Sequence, residues 1–339
     1  MQSFIRSFKG LALVGAAAIP MIGSAQTAKY VEVLPPGATS TTVMSINIPG
    51  EVAGFFGDST GTHSFIREPN GSYRTFDVAG ATSTNATSIN DFGVAAGYYG
   101  DSSGGFHGFV RAANGAITTF DAPGGGTTFV NSINLLGQIA GGASDSTGSF
   151  HCFIRNANGS FTTFQPVGPV EASFVNEIGD LGQGAGAAMT GFFGFSRGFV
   201  RSASGVVTLF DGVPGAIQTY ANGIDALGIA VGYTVDGNGV GHAFQRNARG
   251  VVSLLDPAGA TGSSAATVNN LGTVLGDFMD ATGRHGFTRS ILGKTTVFDV
   301  PGSTATIPKY INDLGSIVGS YTDASGGNHS FLRTETCGP

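Results

Sequence analysis

All six histidines of the chain sit five or six residues after an aspartate, and that spacing is the first candidate for chemistry: Asp58 and His63, Asp101 and His107, Asp145 and His151, Asp236 and His242, Asp280 and His285, Asp323 and His329. The residues between them are mostly Gly, Ser and Thr, so each pair brackets a tight turn that sets a carboxylate beside an imidazole. Such a pair could move a proton or ligate a metal. An active site, however, is normally one asymmetric constellation, whereas here six equivalent copies run along the chain. The expectation is a structural clamp that orders each turn, with no catalytic residue, no metal and no cofactor. Calcium wants six to eight oxygens and usually several carboxylates, and one aspartate per turn falls short.

Two further side chains share this frame. A phenylalanine follows two residues after the histidine position in Phe65, Phe109, Phe153, Phe199, Phe244, Phe287 and Phe331, and an arginine two residues later still in Arg67, Arg111, Arg155, Arg201, Arg246, Arg289 and Arg333. Burying each phenylalanine contributes roughly 1.5–3 kcal/mol, which assigns them to the core. The arginines are expected to pair with carboxylates downstream, such as Asp77, Asp121 or Asp211. One copy departs from the pattern: Arg197 stands at the histidine position, and the aspartate is lost with the histidine. That copy also carries Phe192, Phe193 and Phe195 in its turn, so Phe192, Phe193, Phe195 and Arg197, beside residues 211–215, form the expected contact surface. The Gly-x-Ser-x-Gly match at 194–198 lacks the strand-to-helix setting that a nucleophile elbow needs, so it carries no hydrolase reading.

The spacing of these residues reflects a larger repeat. A glycine closing an Ile-Asn-x-x-Gly turn recurs at Gly50, Gly93, Gly137, Gly182, Gly228, Gly272 and Gly315. Between these anchors, short runs rich in β-branched and aromatic residues alternate with Gly, Asn and Asp turns, including the hairpin signal Asn114-Gly115. Four antiparallel strands per period point to an all-β chain, a seven-bladed β-propeller of four-stranded antiparallel blades. The seventh unit ends after its third strand, and residues 30–34 form an orphan fourth strand. The N-terminal strand is therefore expected to pair into the last blade, closing the ring and hiding two sheet edges.

His242-Ala243-Phe244 and its five relatives, such as His63-Ser64-Phe65 and His107-Gly108-Phe109, resemble the His-x-Phe signature of the HAF family of extracellular repeats, with some likeness to kelch-like propeller repeats. The resemblance implies an exported repeat protein and carries over no activity and no catalytic residue.

Residues 1–25 read as a signal peptide, with Arg6 and Lys9 before an apolar run and a Gly23-Ser24-Ala25 cleavage site. Residues 29–333 are then the propeller and 334–339 a tail. Removing the leader moves the formal net charge from −6 to −8, and an acidic chain without a basic run argues against nucleic acid. No later stretch is long and apolar enough for a membrane span, and Cys152 and Cys337 lack any zinc-site spacing. The expected protein is a secreted, extracellular or periplasmic monomer that binds a protein or carbohydrate ligand through one face of the disc. The rival is an exported hydrolase or lyase with acidic residues converging on a central channel.

Overall fold

The computed structural model describes residues 27–166, 172–190 and 195–336. The expected leader, Phe192, Phe193 and Cys337 lie outside these described residues. Every element among the described residues is a strand. After β1 (Thr27–Glu32), unit one contains β2 (Ser40–Ile46), β3 (Val52–Gly57), β4 (Thr62–Arg67) and β5 (Tyr73–Phe76). Unit two contains β6 (Ser83–Ile89), β7 (Ala95–Gly100), β8 (Phe106–Arg111) and β9 (Ile117–Phe120). Unit three contains β10 (Thr128–Ile133), β11 (Ile139–Ser144), β12 (Phe150–Arg155) and β13 (Phe161–Phe164). Unit four contains β14 (Ala172–Ile178), β15 (Gly184–Thr190), β16 (Phe195–Arg201) and β17 (Val207–Phe210). Unit five contains β18 (Gln218–Ile224), β19 (Ala230–Val235), β20 (Gly241–Arg246) and β21 (Val252–Leu254). Unit six contains β22 (Gly262–Val268), β23 (Val274–Met279), β24 (Arg284–Arg289) and β25 (Thr295–Phe298), and unit seven β26 (Ser303–Ile311), β27 (Ile317–Asp323) and β28 (Asn328–Thr336).

Consecutive strands of a unit pair antiparallel, as in the Ala95↔Arg111 and Arg111↔Ile117 registers of unit two. The outer edge of β28 is taken by β1, from Thr27↔Thr336 to Glu32↔Phe331. The ladder needs six residues on each side. Residues 334–336 therefore belong to a strand rather than to the tail expected at 334–339, and the first strand begins at Thr27, before the boundary expected at residue 29.

Each first strand carries a β-bulge before its turn, and β26 has a second register shift between Ser303 and Ala305. In unit two the register jumps between Ala86 and Ser88, leaving Thr87 unpaired. The equivalent extra residues are Met44, Asn131, Asn176, Asn222, Ala266 and Lys309. A bulge re-aims the side chain it inserts, and all seven of these residues line one shared cavity. The central glycine of each second strand makes the bulge possible: a Cβ on Gly97 would run into the carbonyl of Asn85 across the ladder.

The core lies between neighbouring units. Phe65, Phe109, Phe153, Phe199, Phe244 and Phe287 are fully buried and Phe331 is 1% exposed. One cluster joins Ala140, Cys152 and Ile154 of unit three to Val175, Ile178 and Phe199 of unit four. Burial there pushes the free Cys152 thiol up to about 12, so it is an inert apolar filler.

Candidate functional site

The six histidines lie against the aspartates of their own turns. The Nε2 to carboxylate distances are 3.3 Å to Asp58, 3.1 Å to Asp101, 2.7 Å to Asp145, 3.7 Å to Asp236, 3.2 Å to Asp280 and 3.0 Å to Asp323. In five of them the other ring nitrogen meets a second acid: Asp77 at 2.9 Å from His63, Asp121 at 2.6 Å from His107, Asp256 at 2.8 Å from His242, Asp299 at 2.9 Å from His285 and Glu32 at 2.9 Å from His329. Of the carboxylates expected for the arginines, Asp77 and Asp121 therefore go to the histidines. Five of the seven arginines stack on phenylalanines of the preceding unit instead, with Arg111 4.9 Å from the Phe76 ring and Arg155 4.8 Å from Phe120. The outcome follows from reach: β8 and β9 bring the histidine opposite the end of its own hairpin, whereas the arginine faces the neighbouring unit.

Unit four reproduces the second contact without a histidine, because Arg197 binds Asp211 through Nε at 2.9 Å and Nη2 at 3.1 Å. Arg197 is thus committed within its hairpin. Phe195 is 48% exposed at the start of β16.

These contacts make stability depend on pH. Hydrogen bonds to Asp77, Asp121, Asp256 and Asp299, and for His329 to Asp323, raise the pKa of the five histidines above the ordinary value of 6.5. Their stabilisation is complete below that value and is lost as pH rises through the folded pKa. Turn hydroxyls, or the Val240 N–H for Asp236, hold the six turn aspartates below 3.8. Their contribution is present above that value and is lost as pH falls through the folded pKa. The Tm should therefore peak between about pH 4 and 6.5. A Tm that climbs steadily from pH 6 to 8.5 in a thermal scan would contradict this.

Closer to the axis, the asparagine of each Ile-Asn turn crosses to the next unit. Asn47 Nδ2 donates to the Asn90 carbonyl at 3.0 Å, Asn90 to Asn134 at 3.1 Å, Asn134 to Gly179 at 3.0 Å, Asn269 to Asn312 at 3.0 Å and Asn312 to Asn47 at 2.8 Å. Unit four has Gly179 at this place, and Gln183 Nε2 supplies the donor to the Asp225 carbonyl at 2.9 Å. A Cβ on Gly179 would come 3.0 Å from the Gln183 Cδ, so the two departures compensate each other.

Unit five has Asp225, whose Oδ1 accepts the N–H groups of Leu227 and Ile229 as an asparagine would. Its Oδ2 stands where the other units carry an NH2 group, is buried, and has no partner. Burial raises its pKa. Asp225→Asn supplies the missing donor and removes a buried charge. It should stabilise the protein by roughly 1–3 kcal/mol at pH 8, with the gain shrinking in acid as Asp225 itself becomes a donor. Urea midpoints at two pH values measure this, and an unchanged midpoint at pH 8 counts against it.

The residue before the turn isoleucine is where the ring breaks its symmetry: Ser45, Ser88, Ser132, Glu177, Gly223, Thr267 and Tyr310. Glu177 reaches from unit four across unit five to unit six, where Thr267 Oγ1 donates to its Oε2 at 3.0 Å, and Tyr310 OH of unit seven donates to Oε1 at 3.2 Å. Gly223 leaves the gap. A Cβ there would lie 2.8 Å from Glu177 Oε2 and 2.7 Å from the Thr267 Cα. Glu177 is 8% exposed, and burial pushes its pKa up to about 8. Burial and the nearby Glu177 carboxyl raise Tyr310 well above its ordinary value.

Glu177 and Tyr310 border both ends of the axis. At the turn end lies a cavity of about 80 Å³ walled by the asparagine ring. At the bulge end lies a cavity of about 490 Å³, within the range of roughly 300–1,000 Å³ usual for small-molecule sites. Its wall includes Lys309, Asp277, Asn131 and the stacked pair Tyr220 and Tyr233, whose centroids are 5.0 Å apart. Asp277 is spoken for by Arg284 Nε at 2.6 Å. The rival expectation of acidic residues converging on the channel is met at the bulge end by Glu177 and at the turn end by Asp91, Asp180 and Asp313, which accept the N–H groups of Ile48, Leu135 and Asn270. None of these axial residues was singled out from the sequence. Their one signal there is variation at a position that three units fill with serine.

The turn end also bears an apolar ring. The third residue of each turn is Pro49, Phe92, Leu136, Leu181, Leu227, Leu271 or Leu314, and the last six are 61–71% exposed. Single exposed apolar side chains are ordinary, but here one recurs in every unit at the same end of the fold.

No protein-family model and no curated protein matches this chain. Solved structures do. A streptogramin B lyase aligns with a TM-score of 0.58 at 11% identity, over 93% of this chain and 99% of that one. A catalytically inactive virginiamycin B lyase from Staphylococcus aureus with quinupristin aligns at 0.56 and 12% identity, over 91% and 99%. The BP39L lectin from Burkholderia pseudomallei aligns at 0.54 and 9% identity, over 87% and 96%. At such identities the likeness speaks for architecture alone, and together with the all-strand topology and the shared axial cavity it makes the fold a β-propeller.

Proposed function

We propose that this chain is an exported, non-enzymatic propeller of seven blades, closed by β1, that captures a small polar ligand in its axial cavity. Ring closure is supported by the β1–β28 ladder and by bonds from unit seven to unit one, Asn312 to Asn47 and Ser330 Oγ to the Thr41 carbonyl at 2.8 Å. The observation that carries the ligand reading is Glu177, a buried carboxyl spanning three units at the floor of a polar cavity. A perturbed acid in a cleft is a strong pointer to function. The propeller neighbours include both a lectin and lyases, so the fold accommodates either capture or chemistry.

The test is a glycan and metabolite array on the mature protein, repeated with Glu177→Gln and with Phe195→Ser. Glu177→Gln should weaken the captured ligand at least about tenfold, and Phe195→Ser should leave it unchanged. Full binding by Glu177→Gln overturns the reading. Recovery of the ligand in altered form moves the protein to the hydrolase or lyase alternative, for which a carboxyl near neutrality is a suitable proton donor.

The apolar ring favours a second reading, in which a protein partner docks on the turn end. Capture of a partner that survives Glu177→Gln and is lost in Leu136→Ser with Leu181→Ser would select it.

A further inference from the structure

The charges of the axial cavity do not cancel. Asp277 and Arg284 neutralise each other across 2.6 Å. Glu177 has two hydroxyl donors and no cationic partner within ion-pair distance, and burial keeps it largely protonated at neutral pH. Lys309 remains. It is the residue that the β26 bulge inserts into the cavity, between Pro308 and Tyr310, and its side chain is exposed to the cavity space. Among the described residues no carboxylate lies within ion-pair distance of it; burial lowers its pKa, and the charge of Glu177 opposes that shift. Lys309 is the one cationic side chain lining the cavity, inside a protein whose formal net charge is −6. Fixed cations in a walled cavity select anions.

Part of the cavity wall is aromatic. Tyr220 and Tyr233 stack nearly parallel, at 16°, on unit five. The strand position of Tyr220 is held by Phe174 in unit four and Phe129 in unit three. These half-buried rings continue through Phe150, which lies 5.0 Å from Phe174 and 6.0 Å from Phe129, to Tyr98, 5.1 Å from Phe129. The cavity wall thus offers the flat, polar-edged rings of Tyr220 and Tyr233 together with an ammonium and a carboxyl.

Resting on the reading of the axial cavity as a ligand site, we propose that its ligand is an anionic sugar, with the sugar ring against Tyr220 and Tyr233 and its carboxylate on Lys309. Glu177 then addresses a ring hydroxyl or carbonyl oxygen from the cavity floor. An ammonium paired with a carboxylate gives a charge-assisted hydrogen bond, the strongest polar contact the wall can make. A neutral sugar leaves Lys309 facing no partner.

Calorimetric titration with trigalacturonic acid and with its full methyl ester separates these terms, since the ester removes the charges and keeps the rings. The acid should bind at least about tenfold more tightly than the ester. Lys309→Met, at an exposed position, should bring the acid down to the level of the ester, and Tyr220→Ala should weaken both. Equal binding of acid and ester, or a Lys309→Met protein that still prefers the acid, overturns the proposal. If neutral sugars bind equally well and Glu177→Gln weakens them, the anionic ligand falls and the axial reading stands. If no saccharide responds to any of the three variants, both fall.

Discussion

A chain shortened to begin at Pro35 is expected to lose the cooperative unfolding transition of the longer chain. The removed segment is small, but every part of it is used. Val33 is fully buried in the cluster that joins Val43, Ile46 and Phe65 to Val318 and Leu332. Tyr30 packs 6.1 Å from the Phe331 ring, and Glu32 holds His329 at 2.9 Å. Burying one valine contributes about 1.5–3 kcal/mol and each ladder bond roughly 0.5–1.5 kcal/mol net. The loss is therefore on the order of 5 kcal/mol, comparable with the ~5–15 kcal/mol that holds an ordinary domain together. The cut also bares β28 along its length, a ready template for association with another chain. Urea unfolding should show a collapsed midpoint, and size-exclusion chromatography should show aggregates. A peptide spanning residues 27–34 should suppress the aggregates by adding the missing strand back. An unchanged midpoint in the shortened chain would mean that β1 does not close the last unit.

Gly223→Ala is expected to abolish ligand capture while leaving a folded protein. The added methyl has two neighbours, Thr267 Cα at 2.7 Å and Glu177 Oε2 at 2.8 Å. The backbone atom cannot move far, so the carboxyl must. Overpacking of this kind costs typically 1–3 kcal/mol. The functional cost should be larger, because Glu177 loses its bond to Thr267 and its aim at the cavity, and binding should fall about a hundredfold or more. Gly228→Ala is the matched control. Gly228 sits at φ 80° with open space around it, so alanine there strains the backbone by roughly 1 kcal/mol and leaves the axis untouched. Equal loss of binding in both variants would reduce the Gly223 effect to general destabilisation.

Much of the architecture was legible in the chain because a repeat is averaged seven times. A phenylalanine present in every unit must serve something that every unit has, and all seven are core. The Asp–His pairs were legible for the same reason. Their second partners were not, because Asp77 lies fourteen residues beyond His63 and only the β4–β5 hairpin brings the two together. The arginines were misassigned by the same gap: alternation along a strand says which side Arg111 faces, and not that Phe76 of the preceding unit waits there.

The axial site shows the limit more sharply. Glu177 meets Thr267 ninety residues away and Tyr310 across 133 residues. No spacing rule connects such positions. They meet because the bulges turn seven first strands toward one cavity, whose width a side chain can cross only where Gly223 leaves room. By itself the sequence determined the strands, the repeat and the buried rings, since turn chemistry and apolar period are local and recur in every unit. The tertiary structure alone decided which of the residues that break the repeat stand together, and with what charge, because burial and distance belong to the assembled ring and to no single unit.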